Sequence, residues 1–339
     1  MASGDDSPFA SPAGALPAAP CSPNYPPPQR LRVSVELTNI CNFTCPFCPQ
    51  AYKHEAATPG GAPYNRRQGL MSRATFERAI EECNRVAETV ELGFFGEQTL
   101  HRDYLEFVRS LERRRFRLEV STNLSYVTRE MMQAWLDARV DLLRFSLDAV
   151  TPEVFNRARP GKVKDLAGRI VSDAERMKAV NDKVRYWLSQ PEHRPTRLVY
   201  VKSSHNQGDE RERFLAHWTP CLGPDDRILM KQVLTYGGKT DDALVEAHRC
   251  NVWDVRYLMI DWRGVVSPCN LDTNMDLALG NVLQDSIDAL YRGPVANDLR
   301  KRTGCRKDLT PCRTCVDGNN WSRNESFANP LYESPTAAA

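Results

Sequence analysis

Eight residues near the N-terminus constrain this chain more than any other stretch. Cys41-Asn42-Phe43-Thr44-Cys45-Pro46-Phe47-Cys48 sets three thiols at its first, fifth and eighth places, directly after the apolar run Leu31-Arg32-Val33-Ser34-Val35-Glu36-Leu37. Such a run reads as a first strand that delivers metal ligands from the loop at its end. A cubane iron–sulfur cluster normally takes four thiolates, so a loop supplying three leaves one iron with an open position. That iron can chelate a small molecule through an amine and a carboxylate. Zinc is the competing reading, but structural zinc favours four ligands in two C-x2-4-C pairs, which this spacing fits poorly.

The remaining composition is that of a folded protein. The chain has 339 residues, 41% hydrophobic and 26% charged, enough for one large domain and a small one. A formal net charge of +2 gives no electrostatic case for nucleic acid or a membrane surface. No apolar run approaches the ~20 residues of a bilayer span. Residues 1–29 are rich in Ala, Pro and Ser and lack a basic segment followed by an apolar one, so they read as a disordered tail rather than a secretory signal. Eleven cysteines with no export signal lead us to expect a reducing cytoplasm, where clustered thiols bind metal more often than they pair.

From Ser72 onward strands and helices alternate. Ser72 caps a helix on which Phe76, Ile80, Cys83 and Ala87 recur at helical spacing, which makes Cys83 a buried structural thiol. Strands follow at Val90–Phe95, Arg117–Ser121, Leu142–Asp148, Arg197–Val201 and Arg227–Val233. Helices fall around Tyr104–Arg114, Thr128–Ala138, Val163–Lys183 and Glu210–Trp218. The third of these should bury Leu166, Ile170, Ala174 and Met177, and 186–194 reads as an irregular insertion. Six strands with helical crossovers fall short of the eight of a closed barrel. The expected fold is therefore α/β: an open (β/α)6 partial TIM barrel over residues 30–240, followed by a small C-terminal β-hairpin plus helix cluster-binding domain over 241–325 and a tail over 326–339. Residues 49–69, holding Arg66 and Arg67, read as a lid. In the C-terminal part, Cys250 and Cys269 flank a hairpin whose turn is Trp262-Arg263-Gly264, and Cys312 and Cys315 form a C-x2-C pair. Four such thiols can converge on one metal centre, iron–sulfur or zinc.

The C-x3-C-x2-C loop after a first strand resembles the radical SAM superfamily. The resemblance implies a [4Fe–4S] cluster on Cys41, Cys45 and Cys48 that binds S-adenosylmethionine (SAM) and cleaves it reductively to a 5′-deoxyadenosyl radical. It places Phe47 near the SAM adenine. Gly96-Glu97 at the end of the second strand resembles the family's Gly-Gly-Glu-Pro motif, whose backbone and carboxylate meet the SAM ammonium. The chain departs from that motif at Phe95 and at Gln98-Thr99. Ser121, Asn123, Ser146 and Asp148 match positions that reach the SAM ribose or methionine carboxylate, although each residue type is also common as a helix cap. Residues 151–161 resemble the family's usual continuation after the fourth strand, with Arg157 and Arg159 as substrate contacts, SAM contacts or surface charge.

The C-terminal cysteines, with Leu279-Gly280-Asn281-Val282, resemble SPASM and twitch domains. With no cysteine beyond Cys315, the shorter twitch form is implied: one auxiliary [4Fe–4S] cluster on Cys250, Cys269, Cys312 and Cys315. Cys305 could replace a ligand, donate a hydrogen atom or do nothing. A fully ligated second cluster suits electron transfer, and the chain looks like twitch-type enzymes that oxidise aminocyclitols in antibiotic pathways. The implied activity is dehydrogenation of a small carbohydrate-, aminocyclitol- or nucleoside-like substrate, with a flavodoxin- or ferredoxin-type electron donor. Redox-neutral epimerisation, dehydration or carbon–carbon coupling is an alternative, as is peptide modification. The latter is disfavoured because residues 1–29 leave no room for an N-terminal peptide-recognition domain. Arg66, Arg67, Arg144, Lys202, His205, Asn206 and Tyr236 are candidate partners for substrate hydroxyls.

Overall fold

Six parallel strands carry the molecule. The computed structural model describes residues 30–332 other than 56–57, 60–63, 162–169, 241, 245–249, 251, 254–255, 303–307 and 317–323. In it β1 (Leu31–Val35), β2 (Ala87–Leu92), β3 (Arg117–Thr122), β4 (Leu142–Ser146), β5 (Thr196–Lys202) and β6 (Arg227–Gln232) pair in chain order. Helices α1 (Arg73–Val86), α2 (Tyr104–Ser110), α3 (Arg129–Asp137), α4 (Pro152–Ala158), α5 (Asp173–Leu188) and α6 (Glu210–Trp218) supply the crossovers. This is the open α/β partial barrel expected from the alternation.

Side chains alternate between the two faces of each strand. Val33, Val35, Val90, Leu92, Val120 and Phe145 share one buried core with Phe76 and Cys83 of α1 and Trp135 of α3. The alternate positions, among them Arg32, Ser34, Glu91, Ser121, Arg144 and Lys231, line a cavity instead. Hydroxyl caps fix where the helices begin. Ser72 Oγ accepts from the Thr75 N–H at 3.1 Å and Thr128 Oγ1 from the Met131 N–H at 3.2 Å, each worth about 1 kcal/mol. Two of the buried indoles are satisfied: Trp135 donates to the Tyr104 hydroxyl and Trp187 to Thr196 Oγ1, both at 2.8 Å.

Two helical expectations need correction. The long helix begins at Asp173, because Ser172 and Glu175 form a reciprocal capping box. Its buried face is Arg176, Val180, Val184 and Trp187, whereas Ile170 is 60% exposed ahead of it and Ala174 is exposed; Leu166 lies outside the described residues. Tyr186–Leu188 completes the last turn of α5 and is not an irregular insertion. Residues 152–158 form α4, a helix that the apolar spacing alone did not mark.

The C-terminal hairpin is present as β7 (Tyr257–Ile260) and β8 (Val265–Ser267), followed by β9 (Gly280–Asn281), α7 (Ile287–Arg292) and α8 (Pro294–Lys301). It does not stand apart from the barrel. Strand β7 pairs in parallel with β1, Arg32 against Tyr257 and Val35 against Ile260. At the opposite edge β10 (Glu325–Phe327) runs antiparallel to β6. The described residues thus form one sheet of ten strands, ordered β10-β6-β5-β4-β3-β2-β1-β7-β8-β9. Among them no helix is long and apolar enough to cross a membrane.

Candidate active site and auxiliary cysteine centre

The cysteine loop leaves the carboxyl end of β1 and is pinned on both sides. The Thr44 N–H donates to the Pro160 carbonyl at 2.7 Å, and Cys48 N–H to the Cys45 carbonyl at 2.9 Å. Cys41, Cys45 and Cys48 all line one end of a cavity of about 490 Å³. Burial, with a smaller contribution from another of the three, pushes each thiol up to about 12. Buried thiols that repel one another as thiolates call for a cationic partner, and an iron–sulfur cluster has the charge and the sulfur preference. Among the described residues no three His, Cys, Asp or Glu side chains make a single-ion site.

The turn after β2 is built around Gly96 and Glu97. Gly96 has φ +84°, and a Cβ there would sit 2.3 Å from the Thr38 carbonyl oxygen, so no other residue fits. Glu97 is buried and its carboxylate is heavily used. Oε1 accepts from the hydroxyls of Thr99 (2.6 Å) and Thr122 (2.7 Å), and Oε2 accepts from the Asn123 N–H at 2.6 Å. Burial raises its proton affinity despite these bonds. Glu97 therefore ties the β2 turn to the end of β3 while still lining the cavity. Gln98, where the resembling motif has Pro, substitutes for a strand partner. Its Oε1 accepts from the N–H groups of Leu37 (2.7 Å) and Thr38 (3.2 Å), and its Nε2 donates to the carbonyls of Thr38 (3.1 Å) and Phe95 (2.9 Å).

The other candidates divide into two groups. Phe47, Ser121, Asn123 and Ser146 line the cavity with Gly96 and Glu97. Asn123 Nδ2 donates to Asn42 Oδ1 at 3.2 Å and stands 3.9 Å from Cys41 Sγ. Ser121 donates to Glu91. Asp148 is not among the lining residues. Fully buried at φ +62°, it accepts from the Val201 N–H at 2.6 Å and pairs with Arg159, whose Nη1 lies 4.0 Å from Cys45 Sγ. It positions Arg159, which does line the cavity. Of the seven proposed hydroxyl partners, Arg144 and Tyr236 line it. Arg66 is held by Glu36 at 2.6 Å, Lys202 by Glu325 at 2.5 Å and Asn206 by the Asp148 and Val201 carbonyls; Arg67 is exposed. Arg157, exposed, donates to the His205 carbonyl at 2.7 Å.

Apart from Arg144, the charged floor of the cavity was missed from sequence. Glu119 Oε2 accepts from Arg144 at 2.7 Å and Arg32 at 3.0 Å, and Arg144 Nη1 is 3.5 Å from Glu91 Oε1. Lys231 projects among them with no hydrogen-bond or ion-pair partner among the described residues. Burial, reinforced by Arg144, lowers its proton affinity. The signal was available: parallel strands buried on both faces read as continuous apolar runs, whereas these strands carry a charge or hydroxyl at alternate positions.

The second set of cysteines also converges. Burial raises the Cys269 thiol well above its ordinary range, and Cys315 and Cys250 are the next largest causes. Cys312 lies on the same turn as Cys315 and packs against the core. Cys305 lies outside the described residues. Two sulfur centres, one beside a cavity and one without a lining thiol in it, match two family models in this order. The radical SAM superfamily model covers residues 35–183 and the SPASM model, an iron–sulfur cluster-binding domain, covers 250–316.

The chain belongs to the radical SAM superfamily. As a radical SAM enzyme with a SPASM domain it takes a SAM-binding [4Fe–4S] cluster and an auxiliary iron–sulfur centre. It is 28% identical over 200 residues to a tungsten-containing aldehyde ferredoxin oxidoreductase cofactor-modifying protein of Pyrococcus furiosus, covering 58% of this chain and 49% of that one. The match thus spans about half the length of that curated relative. Two solved radical SAM folds superpose on most of the chain. BtrN in complex with AdoMet and 2-DOIA gives a TM-score of 0.55 at 17% identity, covering 86% of this chain and 94% of BtrN. SuiB of Streptococcus suis bound to precursor peptide SuiA gives 0.60 at 11%, covering 86% and 72%.

Proposed function

We propose that this radical SAM enzyme removes hydrogen from a small, oxygen-rich substrate, carbohydrate-, aminocyclitol- or nucleoside-like, and oxidises it. The observation that carries the reading is the cavity: three thiols at one end, a ring of charged and hydroxyl side chains at the other, within about 490 Å³. Pockets of this size hold small molecules, and SAM must share it. When bound, the SAM-carrying cluster supplies the hydrogen-abstracting radical, and the auxiliary cluster is the acceptor for the electron that net oxidation releases.

The chain's own residues account for orientation and the proton. Glu91, Glu119, Arg32 and Arg144 brace one another, so the floor is rigid before substrate arrives. Arg144 Nη1 makes no hydrogen bond and faces Glu91 Oε1 at 3.5 Å, so the guanidinium is held to the floor by charge. Lys231 is the basic nitrogen able to take the proton lost when a carbinol carbon becomes a carbonyl, since burial brings its affinity down from the usual lysine range. Asn123 and Arg159 lie at the thiol end and orient the SAM side of the cavity.

Anaerobic turnover with SAM, a reductant and candidate aminocyclitols or nucleosides tests this by mass spectrometry in D2O. A product lighter by two hydrogens and unlabelled supports the reading; deuterium at one inverted carbon replaces it with epimerisation. Lys231→Met should keep 5′-deoxyadenosine release while lowering oxidised product by roughly 10²-fold or more. Equal product from this variant removes Lys231 from the role.

A further inference from the structure

Lys239 is fully buried, and its Nζ has no hydrogen-bond partner among the described residues. A buried ammonium without a counter-charge is among the most costly groups a protein can carry, so its partner is to be sought next to it. Asp276, Asp272, Cys269 and Cys315 are the groups whose charge it feels most strongly. The carboxylate of Asp272 is already spent on Ser267 Oγ at 2.7 Å and on the N–H groups of Asp276 and Leu277, both at 2.8 Å. Asp276 is exposed, so water screens its charge, which leaves the two cysteines, both assigned above to the auxiliary centre.

The placement is built into the backbone. Residues 235–240 form a tight turn in which the Lys239 and Thr240 N–H groups both donate to the Thr235 carbonyl, at 2.7 and 2.9 Å. Tyr236, Gly237 and Gly238 all have positive φ. The turn lies directly on the C-x2-C segment: Thr314 Oγ1 donates to the Gly237 carbonyl at 2.7 Å, and a Cβ on Gly238 would come 2.6 Å from that same Oγ1. Close backbone contact with the cysteine turn therefore fixes the residue that follows the two glycines. The Tyr236 end of the turn faces the cavity and packs edge-on to Phe95, ring centroids 5.6 Å apart. One six-residue turn thus reaches both centres.

We propose that Lys239 is the counter-ion of the auxiliary cluster, offsetting its negative charge and shifting its reduction potential upward so that it accepts an electron more readily. A [4Fe–4S] cluster on four thiolates is an anion that gains another negative charge on reduction, and nearby charge is one of the levers that set its potential. The proposal rests on the ligand assignment of Cys250, Cys269, Cys312 and Cys315.

The test uses the full chain with Cys41, Cys45 and Cys48 replaced by Ala, reconstituted anaerobically, so that the auxiliary cluster alone is read. Its potential is followed by redox titration with electron paramagnetic resonance. Lys239→Met should change the oxidised-to-reduced ratio at a fixed potential by on the order of tenfold toward the oxidised form, about 59 mV for one electron. Lys239→Arg should hold the parent value. Loss of iron in Lys239→Met that Lys239→Arg restores also supports a charge requirement. An unchanged potential in Lys239→Met overturns the proposal, and so does equal iron loss in both variants, which assigns Lys239 to packing. If the parent with Lys239 intact fails to hold about four irons, the ligand assignment itself falls, and this proposal with it.

Discussion

The two cysteine sites are made in opposite ways. The first is local: three thiols within eight residues, on a loop pinned to Pro160 at 2.7 Å and bordered by a turn whose Glu97 and Gln98 side chains are hydrogen-bonded at both terminal atoms. The second is assembled from Cys250, Cys269 and the Cys312–Cys315 turn, brought together by a hairpin and by contact with the 235–240 turn. The first opens on a cavity; the second has no cysteine in that cavity's lining, and the turn packed on its C-x2-C segment carries a buried lysine. The difference teaches what each must do. A site that receives SAM and substrate needs a preformed, hydrogen-bonded rim with one side open. On the proposed reading the second site exchanges electrons only, so it can be closed and adjusted by nearby charge.

The comparison can be broken most decisively at the ligands. Replacing Cys41, Cys45 and Cys48 by Ala should abolish 5′-deoxyadenosine release and leave about four of about eight irons per chain. Cys312→Ala with Cys315→Ala should also leave about four irons, but with SAM cleavage intact. Iron analysis beside product chromatography reads both, and unchanged iron in the second variant discards the auxiliary assignment.

A smaller effect tests whether the rim is a hydrogen-bonded scaffold. Gln98→Ala leaves the buried N–H groups of Leu37 and Thr38 without their acceptor. The expected cost is about 2 kcal/mol of stability, since each stranded buried donor costs roughly 1–3 kcal/mol and water can recover part. Denaturant unfolding measures it, and weakened SAM binding should accompany it while auxiliary iron stays constant. A loss of auxiliary iron instead would show the two sites to be one cooperative unit.

The smallest effect lies far from either set of thiols. Glu325 pairs with Lys202 at 2.5 Å and Arg211 at 2.8 Å, fastening β10 to the barrel edge, and all three side chains are at least partly exposed. Glu325→Ala should change stability by no more than about 0.5–1 kcal/mol and iron content not at all.

How far the sequence could be read follows the same division. The first loop was legible because its spacing is local, and the barrel was legible because valines and leucines recur on every strand. Gly96 and Glu97 were visible as a motif, but Gln98 was visible only as a departure from it; its function depends on a strand end that sequence does not place beside it. Asp148 and Arg66 show the reverse error. Each is a polar residue at a strand end or in a loop, as a ligand should be, yet Asp148 is consumed by Arg159 and Arg66 by Glu36 and Asp261. Lys231 and Lys239 escaped because a lone lysine in a sequence is ordinary. What sets them apart is burial without a partner, which only the packed chain reveals.

Strand β7 lies against β1 in a parallel ladder, Val33 opposite Leu258. The strand that ends in the first cysteines and the hairpin that leads to Cys269 are therefore adjacent rungs of one lattice, not bodies on a hinge. Electron tunnelling falls off steeply with distance, so a linker that breathed would make the transfer rate fluctuate from turnover to turnover. On the proposed reading, the ladder sets the spacing between the end of β1 and the hairpin that leads to Cys269 by main-chain geometry.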